Sequence, residues 1–456
     1  MQKQLAIKIL MIFALALLVL IPISMVSHKV SERYSYQLAA KASVAESWTG
    51  SQRLMTPVLV IPYQVAVPSR SADGVQTENL VDSRLVIPAQ AAEINTVVDS
   101  QYLMKGIYKI PVYNSKILLQ GHFAAADIQS KLRSIEQEER FHSVGTPYLS
   151  LHVGDVRGID TAPKVSINGE PRPAQPGSGM SGLATGVSVY LSNLKNSEQP
   201  LHFAFELSLR GTEELTFIPV GDEVKVTMQS TWPHPEFIGA QLPGTRAVSD
   251  DGFSAAWSTT QYSSNNSNLI NRCFTERQCE PILTSGFGAR LIEPVDVYLQ
   301  SERTVKYAML FIGLSFITFF IFEQLKRIRI HPIQYAFVGL AISLFYLLLI
   351  SLAEHIAFGL AYALGAVSCC GLLLFYVRHM LHSFLSALLF ATMLLGLYGL
   401  LYVIVQAEDY ALLMGSILVF VILAVVMMVT RKIDWYDLAE ASRSNSANLE
   451  LNFAAD

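Results

Sequence analysis

The residues best placed to do chemistry are few and scattered. Glu354 and His355 sit side by side between two long apolar runs. Ionisable groups in or beside membrane segments are costly and tend to be functional. Histidine titrates near neutral pH, so this pair fits a proton relay or a ligand site. The plainer reading is a tight turn joining two helices. Glu323 raises the same question at the end of the preceding apolar run, where Lys326 and Arg327 offer an interfacial ion pair. In Trp232-Pro-His234-Pro235, proline fixes φ and removes donors. That corner either presents His234 to a partner or closes the domain it belongs to. Cys273 and Cys279 read as a disulfide, the default in an oxidising compartment. Two free thiols are the alternative, and no histidine stands at a spacing suited to a shared metal.

Other motifs fail on context. Gly177-Ser-Gly179-Met-Ser-Gly182 matches the dinucleotide fingerprint, but that motif works only between a strand and a helix whose N-terminus receives a pyrophosphate. Here it follows a Pro-rich stretch and precedes strand-like sequence. Ser192-Asn-Leu-Lys195 matches Ser-x-x-Lys without the Ser-Asp-Asn and Lys-Thr-Gly companions it requires. There is no Gly-x-Ser-x-Gly elbow and no His-Glu-x-x-His pair. The expectation is a protein that is not an enzyme and needs no cofactor or metal. With a formal charge of −4 and 15% charged residues, it has no basic patch of the kind nucleic acid requires.

The elements that must position these residues follow from an uneven partition of apolar sequence. One apolar stretch covers residues 9–26, and five more follow at 305–322, 333–353, 356–377, 384–405 and 411–430. Runs of about 18 or more apolar residues can cross a hydrocarbon core about 30 Å thick. No small-x-small cleavage site follows the first run, so it reads as an uncleaved anchor and not a signal peptide. The loops at Lys326-Arg327-Ile-Arg329, Arg378-His379 and Arg431-Lys432 are basic, whereas Glu354-His355 and Gln406-Ala-Glu408-Asp409 carry no Lys or Arg. Basic loops stay in the cytoplasm, which predicts six spans, both termini inside and the long intervening segment outside. In the span at 356–377, Gly359/Ala363 and Ala361/Gly365 give small-xxx-small spacings suited to helix packing. Tyr307, Tyr335, Tyr376, Trp435 and Tyr436 fit interfacial belts.

The exported segment predicts a helical stalk over 31–48 and then many short strands. These read at 58–67, 84–87, 107–119, 148–153, 164–167, 186–191, 201–209, 214–220, 224–230, 253–259 and 295–299. Turn signals such as Asn168-Gly169 and Gly221-Asp222 separate them. The pattern argues for a sandwich or two β lobes. Residues 125–141 read as an amphipathic helix, and 171–186 as an exposed Pro/Gly loop.

Several stretches together resemble the CreD family of bacterial inner-membrane proteins. They are Lys306-Tyr-Ala, Phe319-Phe-Ile-Phe-Glu323, His331-Pro-Ile-Gln-Tyr335, Phe345-Tyr-Leu-Leu-Leu349, Ser351-Leu-Ala-Glu354-His355 and Arg431-Lys-Ile-Asp434-Trp-Tyr436. Leu59-Val-Ile-Pro62, Val153-Gly-Asp155-Val-Arg157-Gly158 and Trp232-Pro-His-Pro235 extend the likeness to the exported segment. The polar tail lies outside it. The resemblance implies a protein controlled by a two-component envelope-stress and nutrient-response system, linked to envelope integrity, β-lactam response and colicin tolerance. It implies no catalytic residues.

The combined expectation is a polytopic α-helical membrane protein with a large β-rich, sandwich-like periplasmic domain. It divides into an N-terminal anchor (1–29), the periplasmic domain (30–304), a five-helix bundle (305–437) and a polar cytoplasmic tail (438–456). It would sit in the bacterial inner membrane as a non-enzymatic support of the envelope, contacting the lipid bilayer and a periplasmic envelope protein or lipid. The alternative is a proton-coupled transporter or intramembrane enzyme using Glu354 and His355.

Overall fold

The computed structural model describes residues 2–70, 76–180, 182–192, 194, 199–293, 296–326, 330–381, 383–406 and 411–430. Arg327, Arg329, Glu408, Asp409, Arg431, Lys432, Trp435, Tyr436, Lys195 of the Ser-x-x-Lys match and the polar tail lie outside them. The chain forms two compact units: Met1–Gln37 with Val295–Asp456, and Leu38–Pro294.

The first unit is helical. Helix α1 (Gln2–Ser47) runs 46 residues through Pro22 and contributes to both units. The second unit holds α2 (Ala125–Glu136), α3 (Asn266–Glu276) and α4 (Glu280–Leu283). The helical unit resumes with α5 (Val297–Lys306), α6 (Ala308–Lys326), α7 (Pro332–Ala353), α8 (Phe358–Leu381), α9 (Phe384–Gln406) and α10 (Ala411–Thr430). Among the described residues, four helices are long and apolar enough to cross a membrane: α1, α7, α8 and α9. A fifth candidate is the pair α5 and α6, bent by 44°. The expected span at 305–322 is thus the second arm of a broken helix. The break falls at Tyr307, whose N–H bonds the Thr304 carbonyl at 3.2 Å.

Packing within this unit follows small residues and aromatic rings. Ala361 is fully buried, and a Cβ on Gly365 would lie 3.2 Å from the Phe345 ring, so this small-xxx-small pair lets α8 approach α7 closely. Residues 19, 23, 26 and 30 of α1 are buried at 7% exposure or less. Their spacing of four, three and four places them on one helix face. A Cβ on Gly339 of α7 would come within 2.6 Å of Val19 Cγ2, so only glycine admits α1 there.

The second unit is β-rich. Strand Leu201–Thr212 alternates buried and less buried side chains along most of its length, as does Gly221–Ser230. This is the period-two signature of a sheet with one face on a core. The architecture hinges on a 30-residue strand, Gln76–Lys105. Its first part pairs antiparallel with Val58–Arg70, its second part pairs antiparallel with Tyr108–Phe123, and its middle pairs parallel with Gly221–Ser230. One strand therefore joins both parts of the large sheet. The expected strand at 84–87 covers only a small part of this one, because exposed apolar residues such as Leu80, Val81 and Met104 interrupt the alternation. A smaller sheet orders Gln52–Met55, Glu214–Ile218, Phe287–Leu291 and Pro235–Gly239. It packs on the large sheet through Trp257 stacked on Phe287, with ring centroids 5.5 Å apart.

Local chemistry explains the remaining elements. In α2, buried Ile128, Leu132 and Ile135 recur at helical spacing. The region expected as a strand at 295–299 begins α5 instead, because Asp296 Oδ1 accepts from the N–H groups of Tyr298 (2.8 Å) and Leu299 (3.3 Å) as an N-cap. The expected loop at 171–186 contains short strands at Glu170–Arg172 and Gln175–Pro176. At the end of α1, Arg157 donates to the carbonyl of Glu46 (2.6 Å) while its guanidinium grips Asp155. That side-chain bond holds the Asp155 carboxyl below the usual range. Ala40 and Val44 of α1 pack with Ile110 and Val112.

His152 is buried at 5% exposure, with Nδ1 2.9 Å from the Thr185 carbonyl. Burial pushes its pKa below the ordinary histidine value. Well above that value both folded and unfolded forms are neutral, and stability is complete. As pH falls through the ordinary range, about 6.5, the unfolded chain takes up a proton that the folded chain refuses, so stability drops. We expect the β unit's thermal transition to fall between about pH 8 and pH 5.5. The fall should be smaller in His152→Asn, as followed by circular dichroism.

Candidate functional site

Two clusters in the helical unit repeat one arrangement: a carboxylate at the C-terminal end of a helix, a cation from α1 and a tyrosine hydroxyl. In the first, Glu323 lies in the last turn of α6, 3% exposed. Lys8 forms an ion pair with it and also donates to the Ile330 carbonyl at 3.1 Å. Tyr335 donates to Glu323 Oε2 at 2.8 Å, and the Ile330 N–H to Oε1 at 3.2 Å. Tyr335 is held by local sequence. His331 caps α7, Pro332 occupies its first turn, and Gln334 closes a capping box. Phe316 and Phe319 meet the Tyr335 ring edge-on at 85° and 86°. The interfacial belt expected for Tyr335 is thus corrected: it is fully buried.

In the second cluster, Glu354 is the C-cap of α7 with its side chain 11% exposed. Arg33 Nε lies 3.4 Å from Oε1, and Tyr298 donates to the same oxygen at 3.3 Å. His355 continues the turn, its N–H bonded to the Leu352 carbonyl at 2.9 Å, with its side chain exposed. The neighbours in sequence therefore part in space. Glu354 turns inward to Arg33, and His355 faces outward.

Both acids stand where a helix dipole disfavours negative charge, an effect of roughly 0.3–1 kcal/mol. The α1 cations offset that and the larger cost of burial. Lys8 and Arg33 are 25 residues apart on one helix. At about 1.5 Å per residue that is about 37 Å, a little more than a hydrocarbon core of about 30 Å. The clusters thus bracket an apolar stretch of membrane thickness.

The remaining candidates lie in the β unit. Trp232 is buried, its Nε1 donating to the Ile292 carbonyl at 2.9 Å and its ring 5.3 Å from Tyr102. His234 is exposed. Cys273 and Cys279 are joined as a disulfide. A Cβ on Gly182 would fall 2.2 Å from Cys279 Sγ, so the Gly-rich match is a loop folded onto the disulfide. Ser178 within it is fully buried and bonds the Leu183 carbonyl. Among the described residues, no group of three or more His, Cys, Asp or Glu side chains is placed to hold a metal ion.

Sequence reasoning found the two acids but not their partners. Lys8 immediately precedes the apolar stretch at 9–26 and offers only the signal of a basic flank. Arg33, Tyr298 and Tyr335 carry no such signal.

Helices of membrane length, acids neutralised across them and a β-rich domain carried between the first helix and the rest define a polytopic membrane protein. The chain belongs to the CreD family. The model for that family, described as Inner membrane protein CreD, matches residues 4–436. The chain is also 32% identical over 426 residues to the Inner membrane protein CreD of Escherichia coli (strain K12), covering 93% of this chain and 92% of that one.

Removing one partner of a buried ion pair costs about 3–5 kcal/mol, while replacing both by apolar residues can be close to neutral. Lys8→Met and Glu323→Gln should each lower the unfolding midpoint of the full chain in bicelles. Lys8→Met combined with Glu323→Leu should recover most of the loss. Equal additive losses in the double variant would mean the two groups do not interact.

Proposed function

We propose that this protein is a six-span, non-enzymatic support of the cell envelope, with α10 as the sixth span and both termini in the cytoplasm. Its β-rich domain lies on the periplasmic side and binds an envelope protein or lipid. The basic loops favour that orientation. The observation that carries the reading is α1. Two ion pairs and a buried stripe fasten its first part, while Arg157, Ala40 and Val44 fasten its end. Helix α1 contributes residues to both units and is the element that tethers the periplasmic domain to the bundle. Carboxylates already occupied by a cation and a hydroxyl suit a fastening better than turnover.

The second reading, a proton-coupled transporter or intramembrane enzyme using Glu354 and His355, draws on the burial of the Glu354 carboxylate. Charge reversal separates the two. A fastening works in either polarity, so Arg33→Glu with Glu354→Arg should restore envelope-stress survival that each single change abolishes at normal protein levels. A proton-carrying acid cannot be replaced by arginine, so failure of the swap together with loss in Glu354→Gln would favour transport. Thiol-labelling of single cysteines at 355 and 379 tests the orientation. Position 355 should react from the periplasm and 379 only after permeabilisation.

A further inference from the structure

The open face of the large sheet carries an arrangement that the membrane reading does not use. Strand register places His202 directly opposite His122, then Ala91, then Glu223, in one row across four strands. The adjacent row on that face runs Ala204, Gln120, Glu93, Lys225. The methyl of Ala91 leaves the row low at its centre, and an open groove of about 500 Å³ lies over it. Both imidazoles line this groove.

The two rings lie close enough to share a ligand. Their centroids are 5.4 Å apart and their planes 38° from parallel. A metal ion sits about 2.0–2.1 Å from an imidazole nitrogen, hence about 3.2 Å from the ring centroid, and two such rings at a tetrahedral angle have centroids about 5.2 Å apart. The observed spacing fits. His122 is oriented from behind: its Nε2 lies 2.9 Å from Gln90 Oε1. With Nε2–H donating to that oxygen, Nδ1 keeps its lone pair, the second-shell arrangement that fixes a metal-binding tautomer. The backbone of His202 is pinned as well, its N–H donating to Asn168 Oδ1 at 2.8 Å, from a turn in which Asn168 and Gly169 both have positive φ.

We propose that His122 and His202 bind a divalent transition-metal ion of the zinc or copper type on the β domain. Water completes the coordination shell, and Glu223, two strands away across Ala91, contributes negative charge. Imidazole pairs suit zinc, copper and nickel and do not suit magnesium or calcium. Two protein ligands leave an open position, so the ion remains available to a donor from a partner molecule.

The test uses the untagged full chain in lipid nanodiscs, titrated with zinc chloride or copper chloride by isothermal calorimetry. One ion should bind per chain, copper more tightly than zinc, with no heat from magnesium chloride. His122→Ala and His202→Ala should each weaken binding by about ten-fold or more, and Gln90→Ala by less. His142→Ala, at an exposed histidine elsewhere in the β unit, should leave it unchanged. Zinc should raise the thermal midpoint of the wild type and of His142→Ala but not of the double variant, which also reports whether each variant is folded. Absence of zinc and copper binding by the wild type, or binding that survives loss of both histidines in a folded protein, would overturn the proposal.

Discussion

The helical unit depends on the neutralisation of Glu323 by Lys8. A carboxylate 3% exposed at the negative end of a helix is untenable alone. It is satisfied by three donors drawn from three places: a lysine of α1, the backbone at Ile330 and the hydroxyl of Tyr335. That requirement fixes α1 against α6 and α7. The rest follows as shape: Gly339 exists to admit Val19, and the buried face of α1 continues through Ile23, Val26 and Val30. In lipid, where apolar surface gives helices little reason to choose one another, a buried charge pair supplies the choice.

The Glu354 cluster applies the same logic with a different tolerance. Its carboxylate is more exposed, its cation is an arginine at 3.4 Å and its tyrosine bond is longer, at 3.3 Å. An arginine 44% exposed on its side chain contributes less than a lysine 24% exposed, because water competes more for its charge. One end of α1 is therefore held by a drier contact and the other by a wetter, more adjustable one. Beyond that second contact the helix continues to Ser47, where Arg157 caps its final carbonyls.

Much of this fold was legible in the sequence, and the gaps have physical causes. Alternation along 201–209 and 224–230 marked strands because those residues face one core. The apolar runs marked helices of membrane length. The 30-residue strand was not legible, because its ends are exposed on positions that alternation would assign to the interior. Residues 295–299 looked like a strand, and the capping aspartate at 296 starts a helix at 297. Glu323 and Glu354 could be singled out as charges in costly places, but not their cations. Pairing across 315 residues leaves no local pattern, and Tyr335 reads like any interfacial aromatic until Glu323 is placed beside it. His122 and His202 are 80 positions apart in sequence, so only strand register brings them together.

The separation between Lys8 and Glu323 also has a bearing on biosynthesis. The lysine leaves the ribosome 315 residues before its partner. At about 5–20 residues per second, α1 waits roughly 15–60 s for the carboxylate that will neutralise it. The order suits the chemistry of the two side chains. A lysine near the end of a helix can reach toward the headgroups on its long apolar stem while it waits. A glutamate has a shorter stem with which to do the same. The chain therefore presents first the charge that tolerates solitude, and the burial of Glu323 begins only when its counter-ion is already in the bilayer.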